Sequence, residues 1–116
     1  MPNYNKISLE NSTRSELKES LNLTGCEISA NRLPAGAQVP FYHAHKQNEE
    51  VYLIISGEGF IELDKEKVAL KAGDALRVAP SMVRKVYATS DLYYFCIQAK
   101  ENSLTQWTHE DGFLVE

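Results

Sequence analysis

Two histidines stand two residues apart, at His43 and His45, and Glu50 follows five residues after the second. On a strand, positions i and i+2 point to one face, so both imidazoles can converge on a single ion. The connecting loop, Lys46-Gln47-Asn48-Glu49, is short enough to bring the Glu50 carboxylate beside them. Glu49 would take that place if the loop register slipped by one; the spacing to Gly57 favours Glu50. Two neutral imidazoles and a carboxylate suit Zn, Fe, Mn, Ni or Co and leave positions open for water or substrate. The plainer alternative is a pair of polar histidines lining a barrel mouth. By alternation Tyr52 and Ile54 share the face of Glu50, which makes the Tyr52 phenol a candidate ligand contact or acid. Asp74, after Gly73, reads as a turn residue.

These groups need strands to hold them, and the sequence supplies strand patterns almost throughout. The one helical stretch runs from Thr13 to Leu21: Thr13 and Glu16 form a capping box, Leu17 and Leu21 share a face, and Gly25 follows as a stop. Cys26, Ile28 and Ala30 alternate with Glu27, Ser29 and Asn31, which predicts a strand with the first set buried. Val39 to His45 is expected to form the next strand, with Pro40 marking an edge or bulge. Strands follow at Glu50–Ile55, Phe60–Leu63, Val68–Leu70, Ala75–Ala79, Val83–Tyr87 and Leu92–Gln98, separated by Gly-, Asp- and Pro-containing turns. A tail carries Trp107, His109 and a turn at Glu110-Asp111-Gly112. About eight short strands of this spacing predict an all-β sandwich or barrel.

The run Gly36, His43-Ala44-His45, Glu50 and Gly57 resembles the first motif of the cupin family, with one extra residue between Gly36 and His43. The second motif is partial. Gly73-Asp74 opens it and Pro80 follows, but Met82 replaces a glycine and Lys85 stands where a fourth, histidine, ligand is expected. The resemblance covers about residues 33–87 within a single domain spanning 1–116. It implies a double-stranded β-helix jelly-roll barrel, often a homodimer, with the site inside and a divalent metal on His43, His45 and Glu50. An N-terminal strand could then pair with a partner's sheet edge. An ammonium has three donors and no acceptor, so Lys85 cannot ligate a cation. It can turn aside, pair with Glu50 in a metal-free site, or, with Arg84 or Arg77, hold an anionic ligand beside the metal.

Composition narrows the function classes. A chain of 116 residues with 12 basic and 16 acidic side chains carries a net charge of −4, which argues against a nucleic-acid footprint. The only short basic cluster is Arg84-Lys85. No apolar run is long enough for a membrane helix, and the N-terminus lacks a secretory pattern, so a cytoplasmic protein is expected. Accordingly, the acceptor-like tripeptides at Asn11 and Asn22 read as chance, and Cys26 and Cys96 as buried free thiols. Two function classes stay open. One is a metal-containing cupin that binds a small polar, anionic molecule, with oxygenase or isomerase chemistry among the family's activities. The other is a metal-free ligand-binding or sensory barrel without catalysis.

Overall fold

The computed structural model describes residues 3–10 and 12–115, so Asn11 lies outside the described residues. Eight strands and two short helices follow in order: β1 (Arg14–Glu16), α1 (Leu17–Leu21), β2 (Glu27–Leu33), β3 (Asn48–Ser56), β4 (Glu58–Leu63), β5 (Glu66–Lys71), β6 (Ala75–Val78), β7 (Arg84–Ala88), β8 (Leu92–Lys100) and α2 (Thr108–Asp111). The larger sheet runs β1-β2-β8-β3-β6 and the smaller β5-β4-β7, with every pair antiparallel. This is the all-β fold that the strand spacing predicts.

Inward-facing side chains of both sheets make one core. Tyr52 and Ile54 of β3, Leu92, Tyr94 and Cys96 of β8, Ile61 and Leu63 of β4 and Val86 and Ala88 of β7 pack together in it. The β4–β5 hairpin closes through Asp64 and Lys65, whose φ angles of 47° and 75° are those of a tight type I′ turn. At Gly57, φ is +87°, and a Cβ would lie 1.8 Å from the carbonyl oxygen of Asp91. The residue that ends the first motif must therefore be glycine for the β3–β4 turn to pass β8.

Four expectations need correction. The capping box does not form. Thr13 precedes β1, residues 14–16 pair with β2, and the helix begins only at Leu17 with no side-chain cap. Sheet pairing outweighs the local helix signal there. In β2 the polar face is the one that lines the cavity: Ser29 and Asn31 turn to it and are buried, while Ile28 and Ala30 lie on the opposite face, where Ala30 is buried as expected and Ile28 only half-buried. Residues 39–45 form no regular strand, although Gln38 bridges Tyr87 and His43 bridges Arg84. Pro40 removes a donor from any ladder at this point. Lastly, Glu110-Asp111 belongs to α2 rather than to a free turn.

Candidate metal centre

A cavity of about 230 Å³ opens at one end of the barrel. Strand parity says which residues reach it. From β3 come Glu50 and Tyr52; from β8, Tyr94, Cys96 and Gln98; from β7, Arg84 and Val86; from β2, Glu27, Ser29 and Asn31; and from β1, Arg14 and Glu16. The irregular segment before β3 adds His43 and His45, so three of its polypeptide stretches meet around Glu50. That segment is pinned by reciprocal backbone bonds: the His43 amide donates to the Arg84 carbonyl at 3.1 Å and the Arg84 amide to the His43 carbonyl at 3.0 Å. The His45 amide donates to the Pro80 carbonyl at 2.8 Å.

One donor atom each from His43, His45 and Glu50 lies within 4.8 Å of the others. His45 Nε2 stands 2.9 Å from Glu50 Oε2, and His43 Nε2 stands 3.7 Å from Glu50 Oε1. The second ring nitrogen of His43, Nδ1, is buried without a hydrogen-bond partner. The Tyr52 hydroxyl donates to Glu50 Oε1 at 2.7 Å.

The opposite side of Glu50 is held by a residue that the motif comparison gave a minor part. Arg84 is completely buried and its Nη1 donates to Glu50 Oε1 at 2.8 Å. Its remaining donors go to the chain around it. Nε donates to the Met82 carbonyl, and Nη2 faces the carbonyls of Ala79, Pro80 and Met82 at 2.7 Å each. Burial by itself would push the Glu50 carboxyl up. The close approach of His43, the hydrogen bonds from Tyr52 and Arg84, and the Arg84 charge outweigh it and hold that carboxyl well below the usual range. Glu50 is an anion in this site. Burial, and the nearby Glu50, push Tyr52 and Cys96 the other way, so both stay protonated.

Lys85 stands one residue along β7 and points elsewhere. It borders the cavity, but its ammonium lies over the rings of Tyr42 (4.8 Å) and Tyr87 (5.2 Å), whose hydroxyls are 3.0 Å apart beside Glu62. The ion pair with Glu50 that sequence offers to Lys85 is made by Arg84. Alternation carried the signal: Val86 is a core residue, and Arg84 shares its face while Lys85 does not. Arg77, the third cation considered, is exposed and bridges Glu49 and Glu101 at 2.7 and 2.6 Å. Glu49 is thus engaged outside, and Glu50 faces the histidines.

Sequence reasoning missed the far wall. Arg14 Nη1 donates to Asn31 Oδ1 at 2.6 Å, and Asn31 Nδ2 donates to Ser29 Oγ at 3.0 Å. This polar row faces the cavity from β1 and β2.

The donor set fits a divalent ion. Glu50 keeps Oε2 toward the histidines while Tyr52 and Arg84 hold Oε1, the outer support that ligating carboxylates commonly have. An ion bound there would supply a Lewis-acidic anchor for an anionic oxygen.

The cupin-domain family model matches residues 31–98. A cupin protein (BF4112) from Bacteroides fragilis, solved as a crystal structure, is 52% identical over 100% of both chains, with a TM-score of 0.96. The structure of a predicted oxalate decarboxylase (tm1287) from Thermotoga maritima is 26% identical over 72% of this chain and 73% of that one, TM-score 0.63. Among curated proteins, uncharacterized protein MJ1618 of Methanocaldococcus jannaschii is 30% identical over 72% of this chain. The match spans 64% of that relative's length. This chain belongs to the cupin domain family.

Proposed function

We propose that this chain is a small-molecule-binding cupin that holds one divalent metal on His43, His45 and Glu50 and an anionic polar ligand beside it. The observation that carries the reading is the convergence of two imidazoles on one carboxylate at the cavity. Charge then selects the ligand. Glu50 and Arg84 cancel, so a dication would leave the centre positive and in want of an anion. Ligand-sized pockets run from roughly 300 to 1,000 Å³; a cavity of about 230 Å³ suits a molecule of only a few carbons. The row Arg14, Asn31 and Ser29 would meet its polar end. The oxalate decarboxylase designation of the Thermotoga maritima relative supports a small carboxylate.

Binding is the better-supported role than catalysis. Oxygenase or isomerase chemistry would use the same metal position. Yet Glu50 is ion-paired to the buried Arg84, which suits it to hold a ligand rather than to move a proton. Free thiols at Cys26 and Cys96 suit a reducing, cytoplasmic setting.

One observation favours a metal-free barrel: Arg84 already gives Glu50 a buried counter-cation. Elemental analysis of protein purified in the presence of Zn, Fe, Mn, Ni and Co separates the two. The metal reading expects close to one ion per chain, lost in His45→Ala while far-ultraviolet dichroism is unchanged. Protein that stays metal-free under those conditions leaves the metal-free barrel standing instead.

A further inference from the structure

The far wall of the cavity offers protons that the chain does not take up. Arg14 has only N–H groups to give, so its 2.6 Å contact fixes which end of the Asn31 amide faces it. Oδ1 accepts there, and Nδ2 is left to donate to Ser29 Oγ at 3.0 Å. Ser29 thus spends its oxygen on Asn31, and its own proton has no acceptor among the described residues, although the residue is only 7% exposed. On the neighbouring strand Tyr94 also borders the cavity. It is 4% exposed, and its hydroxyl makes no hydrogen bond among the described residues. Burial pushes this phenol up, so it stays a donor. Buried polar groups are nearly always hydrogen-bonded, which makes two such hydroxyls on one cavity wall an exception to explain.

Register places this wall relative to the metal centre. Ser29 pairs with Cys96 of β8, which pairs with Tyr52 of β3, two residues along from Glu50. Two strand spacings of about 4.8 Å and a two-residue step of about 6.8 Å set the Ser29 and Glu50 α-carbons roughly 12 Å apart. Asn31 and Tyr94 stand one further two-residue step away. Two carboxylates also border this side, and both are engaged: Glu16 lies 3.9 Å from Arg14 Nε, and Glu27 Oε1 accepts from the Lys18 amide at 2.8 Å.

We infer that Tyr94, Ser29 and Arg14 form a second anion subsite, and that the ligand is a short aliphatic diacid longer than oxalate. For the first carboxylate this rests on the metal reading above; the second is held by the far wall. A carboxylate accepts on every lone pair and donates nothing, which matches a wall of donors. An alcohol or amine would bring a proton with no acceptor to meet it. Oxalate carries both carboxylates on one bond and would spend them at the ion, short of β2. Succinate and glutarate keep to a few carbons and carry the second carboxylate farther.

Isothermal titration of succinate and glutarate against butyrate and valerate, the monoacids of equal length, tests this on protein with its metal and on protein stripped of it. At least one diacid should bind about tenfold or more tighter than its monoacid, as hydrogen bonds to a charged group imply. Tyr94→Phe and Ser29→Ala should each remove most of that margin while metal content holds. In acid-free protein Tyr94→Phe should not lower the urea midpoint, since the hydroxyl it loses has no partner. Failure of the metal reading gives a separate result: protein that takes up no ion binds both acids weakly yet keeps the margin between them. The inference is overturned if diacids bind no tighter than monoacids in either form, or if the margin survives both substitutions. A fall in the acid-free urea midpoint of Tyr94→Phe also overturns it, because the hydroxyl then serves the fold.

Discussion

Replacing Arg84 by methionine tests the electrostatics of the site directly. Arg84 is fully buried and Glu50 nearly so, and their contact is 2.8 Å. Methionine fills most of the stem's volume but leaves a buried carboxylate with no counter-cation. Breaking a buried pair from one side costs about 3–5 kcal/mol, and each orphaned buried carbonyl up to about 1–3 more where water cannot reach it. Against a typical total of about 5–15 kcal/mol, Arg84→Met should sit close to unfolding. Adding Glu50→Gln removes the stranded charge, so the double variant should be at least about 2 kcal/mol more stable than the single one. Urea unfolding followed by far-ultraviolet dichroism at pH 7 measures both, with m-values checked for constancy. A divalent ion that takes the guanidinium's place beside Glu50 should also stabilise Arg84→Met more than the parent chain. A loss below about 1 kcal/mol for the single variant is the value of a solvated surface pair. That result would refute the burial argument.

Two further outcomes follow from the same geometry. Lys85→His should leave metal affinity unchanged, since position 85 stacks on Tyr42 and Tyr87; Arg84→His faces the cluster and should raise affinity on the order of tenfold or more. Isothermal titration of both variants checks this, and equal effects would contradict the strand parity. Because the folded Glu50 pKa lies below its ordinary value near 4.5, its stabilising contribution is full above that value and is lost as pH falls below it. Urea midpoints taken from pH 7 down to pH 3 should therefore fall more steeply for the parent chain than for the Glu50→Gln/Arg84→Met variant.

Much of this arrangement was legible in the residues. His43, His45 and Glu50 lie within eight residues, so a short connection into β3 brings them together even though residues 39–45 form no regular strand. The turn glycines and the hairpin around residues 64–67 punctuate the strands, although the turn is the tighter pair Asp64-Lys65 and β5 begins already at Glu66. What failed did so for physical reasons. Motif spacing in β7 led to Lys85, although the apolar Val86 two residues after Arg84 marked which side of the strand faces in. In β2 the rule that apolar residues face the interior assumes a dry interior. A cavity inverts it, and Ser29 and Asn31 belong to the cavity. Thr13 and Glu16 make a valid local helix start, but an available sheet edge at β2 claimed the segment first.

The reciprocal amide bonds between His43 and Arg84 have a kinetic consequence. They tie the backbone of the histidine segment to that of β7, so the segment cannot lift away from the strand without breaking both bonds. Exchange of a bound molecule then proceeds against a fixed wall, at a rate set by the width and charge of the mouth and by how readily its water leaves. Association should show a single, concentration-proportional phase rather than a slow isomerisation after capture.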